Sequence, residues 1–159
     1  MASPNWTYVF QSKIQKLQRG DTWRLEFDDS IVAESPAQEW KKYIRNTTAR
    51  FKCSKCGRGW PSNRVMVLFH MQLRCGQGTV KVRLFRQNCK LCSDAPMEKP
   101  VITSQNTEVL LDKLMEKIRI KCYNEPPTNR NRPFERVNVQ SPHEPDHCEG
   151  CILGVCTKE

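Results

Sequence analysis

The sequence lacks a long apolar run. The longest candidate, residues 65–71, is short and has His70 inside it, whereas a membrane-spanning helix needs about 20 mostly apolar residues. The N-terminal residues also lack a charged region followed by an apolar stretch, so no secretory signal peptide is visible. We therefore expect a soluble, cytoplasmic chain without a membrane span of its own.

Most common catalytic motifs are missing as well. The sequence has no Gly-x-Ser-x-Gly elbow and no glycine-rich phosphate loop. A His-Glu-x-x-His match at residues 143–147 contains Pro145 and lies in a Pro-rich stretch, whereas the metalloprotease motif requires a helix. The zinc-deaminase signature, a His-x-Glu element followed by a Cys-x-x-Cys pair, is also absent. We predict that the protein is not an enzyme and has no small-molecule substrate.

Acidic residues are absent from residues 40–93, which hold thirteen Lys/Arg. The flanks are nearly balanced, with four basic and six acidic residues in 1–39, and nine and eleven in 94–159. The net charge of +9 therefore belongs to the central segment. A basic face of this kind favours nucleic acid, anionic lipid or an acidic protein segment. Its candidate members are Lys52, Lys55, Arg58, Arg64, Lys81, Arg83 and Arg86.

Cysteine is abundant by contrast, with nine residues. Six of them form three Cys-x-x-Cys pairs, a spacing that suits one tetrahedral zinc ion better than disulfides between distant strands. The odd total also argues against a disulfide framework. Thioredoxin-like redox chemistry needs a strand-turn-helix context, which the pairs lack. The predicted zinc ligands are Cys53, Cys56, Cys89, Cys92, Cys148 and Cys151.

The first two pairs flank two β-rich runs, at residues 64–73 and 79–87, joined through residues 75–78. Such a hairpin would return Cys89 and Cys92 to the side of Cys53 and Cys56. A knuckle, a hairpin and a second knuckle form a zinc ribbon, in which the four thiolates close around one structural ion.

The third pair needs further ligands, and the sequence leaves two arrangements open. In one, Cys156 and either His143 or His147 complete a local site. In the other, the tail returns to the body and shares His70 or Cys122, although His70 is as well explained as a buried, hydrogen-bonded histidine. Either arrangement predicts two structural zinc ions.

The remaining patterns predict an α+β fold, in which two or three helices flank an antiparallel, zinc-ribbon-like core. We expect a helix opened by Ser3-Pro4 and ended by Gly20, then a strand over residues 22–27. A second helix is expected from Ser35-Pro36, with Ala37, Trp40 and Ile44 on one face. A third runs from an Asn106 cap to about Cys122. Residues 124–146 predict a Pro-rich loop, with a short strand at 136–139. We assign residues 1–49 to an extension packed on a zinc domain of residues 50–159.

The three pairs and their surroundings resemble the three-CxxC zinc fingers of the receptor-transporting protein family. The match covers nearly the whole chain, and its combination of motifs is specific although each pair alone is not. It lies in the Trp6 helix, residues 50–56 with Trp60, and residues 65–71, 82–92 and 147–151.

This resemblance implies a cytosolic zinc-finger protein that assists G-protein-coupled receptors, chemosensory ones among them, in reaching the plasma membrane. It also implies zinc ligation by all three pairs. Many members end in a hydrophobic anchor that this sequence does not show. Either the chain is a fragment, or it acts as a soluble or peripheral protein that its basic segment, residues 40–93, would hold to an anionic membrane. The alternative is RNA binding, because Trp60, Phe69 and Phe85 alternate with basic residues; core packing of these aromatic residues is the stronger expectation.

Overall fold

A computed structural model describes residues 5–32, 39–126 and 147–153. The predicted α+β class is confirmed. In chain order the elements are α1 (Trp6–Gln15), β1 (Thr22–Phe27), β2 (Lys41–Lys52), β3 (Gly59–Arg74), β4 (Gln77–Leu84), α2 (Ser104–Tyr123) and α3 (Glu149–Ile152).

The strands form one four-stranded sheet in the order β1-β4-β3-β2. Strands β3 and β4 form the predicted antiparallel hairpin. Strand β2 pairs antiparallel with β3, but β1 adds to β4 in parallel, so the sheet is mixed. The β3–β4 hairpin closes through Cys75 and Gly76 alone, both at positive φ (52° and 75°). A two-residue turn of this conformation matches the twist of the strands it joins and fixes their register.

The main core lies between one face of the sheet and the helices α1 and α2. Alternate β3 residues from Val65 to Met71 point into it, while Met66 and Leu68 point to a smaller cluster on the other face. This alternation follows the period of two in a strand. The long strand β3 is therefore buried on both faces and carries the sheet toward the cysteine pairs.

Two helices begin at other residues than predicted. Helix α1 is capped by Asn5, whose side chain accepts a hydrogen bond from the Tyr8 backbone N–H; Ser3 and Pro4 lie outside the described residues. Helix α2 is capped by Thr103, and the residue predicted as its cap, Asn106, is the donor to the Thr103 hydroxyl. The helix therefore begins three residues earlier than predicted, with threonine, another favoured capping residue, at its N-cap.

The predicted second helix is wrong where the structure describes it, because β2 begins at Lys41 and includes Ile44. Ile44 pairs with Leu68 of β3 and packs in the smaller cluster. Long antiparallel pairing with β3 outweighs a helical spacing of only three apolar residues. Residues 33–38, which include the predicted start of that helix, lie outside the described part of the chain.

The predicted Pro-rich loop and its strand at 136–139 lie mostly outside the described residues, since the description stops at residue 126 and resumes at 147. The residue after α2, Asn124, adopts the left-handed conformation that ends many helices. Strand β2 runs through the boundary predicted between residues 49 and 50. The division into an extension and a zinc domain stays a prediction.

Candidate metal centre

The first cysteine knuckle is a tight turn that follows β2. The Cys53 backbone N–H donates to the Arg58 carbonyl (2.8 Å), and the Gly57 N–H donates to the Cys53 carbonyl (2.9 Å). Gly57 has φ +77°, a conformation that a residue without Cβ adopts at no steric cost. The turn therefore presents the Cys53 and Cys56 side chains from one short loop.

The second knuckle follows β4 and is bound to the first. The Lys55 ammonium donates to the Ser93 carbonyl (2.7 Å). The Ser54 backbone N–H and hydroxyl both donate to the Glu98 carboxylate (2.8 and 2.7 Å), and these two bonds lower the pKa of Glu98. Side-chain and backbone bonds thus hold the two loops face to face.

The four sulfur atoms of these knuckles lie within 4.8 Å of one another. The Cys53 and Cys92 Sγ atoms are 3.8 Å apart, and those of Cys56 and Cys89 are 3.9 Å apart. Four sulfurs placed about 2.3 Å from a tetrahedral zinc ion would be separated by about 3.8 Å, whereas a disulfide bond is about 2.05 Å long. The residues present therefore fit a Cys₄ zinc ion.

The charges around the cluster also favour a metal cation. The Arg58 guanidinium Nε donates to the Cys89 Sγ (3.3 Å), which lowers the pKa of Cys89 to about 6. Backbone N–H groups of Cys56 and Lys55 lower the pKa of Cys53. Hydrogen bonding to Cys56 and the other neighbouring sulfurs raises the pKa of Cys92 to about 12. A divalent cation would relieve this crowding of negative charge.

An aromatic stack supports the same end of the sheet. The Trp60 ring lies parallel to Phe51 (centroids 5.4 Å apart) and under the Arg58 guanidinium (4.6 Å). Its indole N–H donates to the Gln87 side chain (2.9 Å), whose amide donates in turn to the Ser62 hydroxyl (3.1 Å). This packing fixes Arg58 against the sulfur of Cys89.

The third cysteine pair reaches the body of the protein through backbone pairing. The Asn88 N–H donates to the His147 carbonyl (2.9 Å), and the Glu149 N–H donates to the Arg86 carbonyl (2.8 Å). Cys148 sits between these bonds opposite Gln87 and is buried. The tail therefore docks beside the second knuckle, and Cys151 follows in the short helix α3.

The candidate further ligands are not brought together in the described structure. His70 belongs to the face of β3 that carries Met66 and Leu68, whereas Cys122 packs against the main core on the opposite face. His147 is hydrogen-bonded through Nδ1 to the Asn88 side chain (2.8 Å). His143 and Cys156 lie outside the described residues. Within the described ranges, the first four cysteines are the only group of three or more donors close enough to share an ion.

The predicted basic face divides into two sets. Lys81, Arg83 and Arg86 form ion pairs with Asp28, Glu149 and Asp29, at 3.4, 3.5 and 2.6 Å. Lys55 and Arg58 are hydrogen-bonded within the knuckles, as described above. Lys52 and Arg64 are exposed, and neither forms an ion pair among the described residues.

The sequence did not predict the roles of four supporting residues. Arg58 donates to sulfur, and Ser54 and Glu98 join the two knuckles. Asn88 contacts His147, and its amide also donates to the Ala95 carbonyl (3.1 Å). A sequence signal existed only for Arg58, which follows the knuckle glycine and precedes Trp60 by two residues. The other contacts join segments more than thirty residues apart or depend on a loop conformation.

Comparison with known proteins decides the family. The zinc-ribbon 3CxxC model, a zinc-binding domain, matches residues 46–154. Mouse receptor-transporting protein 3 is 32% identical over 96% of this chain, and human receptor-transporting protein 4 is 34% identical over 95%. Mouse receptor-transporting protein 2 is 31% identical over 94% of the chain and 69% of its own length. The chain belongs to the receptor-transporting protein family.

The predicted resemblance is therefore confirmed, and with it the zinc-finger character of the chain. Family membership and the four-sulfur cluster together show zinc binding. The chain spans 33% of the length of the mouse protein 3 and 63% of the human protein 4. No solved structure matches it. Within the described residues, no helix combines the length and apolar character that crossing a bilayer requires.

Proposed function

We propose that this chain is a non-catalytic zinc protein that promotes transport of G-protein-coupled receptors, chemosensory-type receptors among them, to the plasma membrane from the cytoplasmic side. The observation that carries this proposal is the similarity over 94–96% of the chain to proteins named for receptor transport. The metal site fits such a role, because a closed Cys₄ set leaves no open position for a reacting water.

The ion at Cys53, Cys56, Cys89 and Cys92 would act as a structural cross-link between two loops that have few apolar contacts of their own. Only Cys53, Cys89 and Ala95 form a small buried cluster there. Zinc binding can supply folding free energy that so small a core cannot. We propose a second ion at Cys148 and Cys151, with Cys156, His143 or His147 as the source of its remaining ligands.

Co-expression with an epitope-tagged chemosensory receptor tests the receptor role. We expect the intact protein to raise receptor density at the cell surface, measured by flow cytometry on unpermeabilised cells. Cys53→Ser should abolish the gain, because it removes one ligand from the Cys₄ site. Cys75→Ser, at the exposed hairpin turn, is the matched control and should retain it. An unchanged receptor density with the intact protein would exclude the proposal.

The RNA-binding alternative lacks support from the three aromatic residues that motivated it. Phe69 and Phe85 are 0% and 2% exposed, and Trp60 is stacked between Phe51 and Arg58. None of these three rings offers a free face on which a base could stack. A mobility-shift titration with single-stranded RNA at low salt should therefore show no specific complex.

A further inference from the structure

We propose that the zinc end of the molecule, defined as residues 50–64 and 88–98, docks onto an anionic bilayer, with Leu91 inserted among the headgroups. The inference deepens the proposed function, since it names the surface that would hold a receptor-transporting protein beside receptor-bearing membranes. It needs no receptor for its test, so the two proposals can fail separately.

The first observation is a group of exposed basic side chains at this end that form no ion pair within the described residues. The zinc end holds six basic residues and two acidic ones. A Cys₄ zinc centre adds about −2, which leaves an excess of about +2. Arg50, Lys52 and Arg64 are exposed and form no ion pair within the described residues. The basic residues farther along β4 are, in contrast, neutralised by Asp28, Asp29 and Glu149.

The two acidic groups of the zinc end, Glu98 and Asp94, differ in how far they can oppose an anionic membrane. The Glu98 carboxylate accepts both Ser54 hydrogen bonds and so faces the first knuckle rather than an approaching membrane. Asp94 stays exposed and opposes docking. The excess of basic residues outweighs it, because each Lys or Arg near an anionic surface adds to the attraction.

The second observation is an exposed aliphatic side chain at the tip. Leu91 lies between the two cysteines of the second knuckle and is 71% exposed, the largest exposure among the large apolar side chains of the described residues. Lys90 precedes it, and the Lys55 ammonium is held against the neighbouring Ser93 carbonyl. An apolar tip beside cations is the arrangement with which interfacial segments enter the headgroup region of a bilayer.

The combination favours a bilayer over RNA. Both ligands are polyanions, but RNA recognition on a basic surface adds base stacking on exposed aromatic rings. In the zinc end the aromatic residues Phe51 and Trp60 stack on each other. The surface offers an aliphatic side chain instead. Its transfer into a bilayer is favourable, whereas a phosphate backbone offers it no favourable contact.

Vesicle sedimentation of the purified, zinc-loaded chain tests this docking. We expect binding to phosphatidylcholine vesicles that contain phosphatidylserine, little binding to phosphatidylcholine alone, and a decline as salt rises. Leu91→Ser should weaken binding about tenfold, from the lost burial of one leucine. The Arg50→Gln/Lys52→Gln double variant should weaken it by about tenfold or more, given two lost charges.

Matched controls separate this surface from general effects of charge or apolar area. Val32→Ser removes another exposed aliphatic side chain. Lys16→Gln/Arg24→Gln removes two exposed charges that are distant in the sequence from the zinc end. Both variants should bind vesicles nearly as well as the parent does. Zinc content and circular dichroism confirm folding of each variant. Equal binding to neutral vesicles, no loss for either zinc-end variant, or tighter binding to single-stranded RNA than to vesicles would overturn the proposal.

Discussion

The first two cysteine pairs and the third share one motif but occupy very different surroundings. Cys53/Cys56 and Cys89/Cys92 follow two strands of the same sheet, and their four sulfurs converge within 4.8 Å. Cys148/Cys151 follows the undescribed segment 127–146 and is held to the second knuckle by backbone hydrogen bonds. The first region has the geometry of a complete four-ligand site, whereas the second shows two candidate ligands.

The difference teaches that a Cys-x-x-Cys spacing specifies half of a tetrahedral site and nothing about the other half. The other half depends on chain topology. Here the β3–β4 hairpin returns the second pair to the first, so the site is closed by strands whose register is already fixed. The described part of the tail, residues 147–153, contains no such strand, and its pairing beside residues 86–88 decides only where Cys148 and Cys151 lie.

The largest predicted effect is the loss of the Cys₄ site. Cys53→Ser/Cys56→Ser should release one zinc ion and lower the melting temperature by about 10 °C or more, because structural zinc contributes several kcal/mol to folding. Native mass spectrometry and thermal circular dichroism measure the two effects. Cys75→Ser, an exposed cysteine outside every pair, should keep both values. A double variant with full zinc content would show that these sulfurs are not ligands.

Removal of the third pair should have a smaller effect. Cys148→Ser/Cys151→Ser should leave one ion bound and lower the melting temperature by about 5 °C, since it releases the tail but leaves the Cys₄ cluster and the main core intact. Hydrogen exchange should show loss of protection at residues 86–88 and retention at the first knuckle. If the same variant emptied both sites, the two regions would be one site rather than two.

Arg58 provides a finer test of the first region. Arg58→Gln removes the donor to the Cys89 sulfur and should weaken zinc affinity about 10- to 100-fold, the usual range for groups that support a ligand. Competition with a chromophoric chelator measures the change. Arg64→Gln removes another charge of the zinc end, one that has no contact with sulfur, and should change affinity by less than about threefold.

The smallest predicted effect is that of a His70 substitution, which tests whether His70 is a ligand of the third cysteine pair. Burial lowers the pKa of His70 and outweighs the opposing hydrogen bond to the Val32 backbone. The charges of Lys42 and Lys81 lower the pKa further, against that of Asp28. Its Nε2 is buried without a hydrogen-bond partner among the described residues. The unfolded chain, with a histidine pKa near 6.5, therefore binds this proton more readily than the folded protein does.

The stability that neutral His70 contributes is thus present above about pH 6.5 and is lost as the pH falls toward the lower, folded pKa. The slope is at most about 1.4 kcal/mol per pH unit. Denaturant titrations should show that His70→Gln flattens this dependence relative to the parent, while its zinc content stays the same. A lower zinc content would instead make His70 a ligand of the third pair.

Local chemistry made the knuckles, the hairpin and both long helices predictable from the sequence. The cysteine spacing, Gly57 and the turn at Cys75-Gly76 each specify their own conformation within a few residues. The supporting contacts were not predictable, because Ser54 and Glu98 are distant in the sequence and meet only after the bridge between Gln87 and Glu98 forms. The contacts of His70 were also not predictable, because strand alternation indicates on which face of the sheet it lies but not which residues surround it.

The fold was harder to predict where long-range pairing decides. Trp40 and Ile44 have helix-like spacing, yet Lys41–Lys52 forms β2 because β3 pairs with it along nearly its whole length. The parallel placement of β1 beside β4 likewise has no local signal, since about fifty residues separate the two strands. Secondary-structure preference was outweighed at these positions by tertiary contacts.

The central claim is that Cys53, Cys56, Cys89 and Cys92 hold one zinc ion by themselves. Zinc K-edge X-ray absorption on the Cys148→Ser/Cys151→Ser variant tests it most directly, because any ion of the third pair is then absent. The structure predicts one zinc ion per chain with sulfur-only ligation at about 2.3 Å. Absence of zinc, or a first shell that includes nitrogen or oxygen, would contradict it.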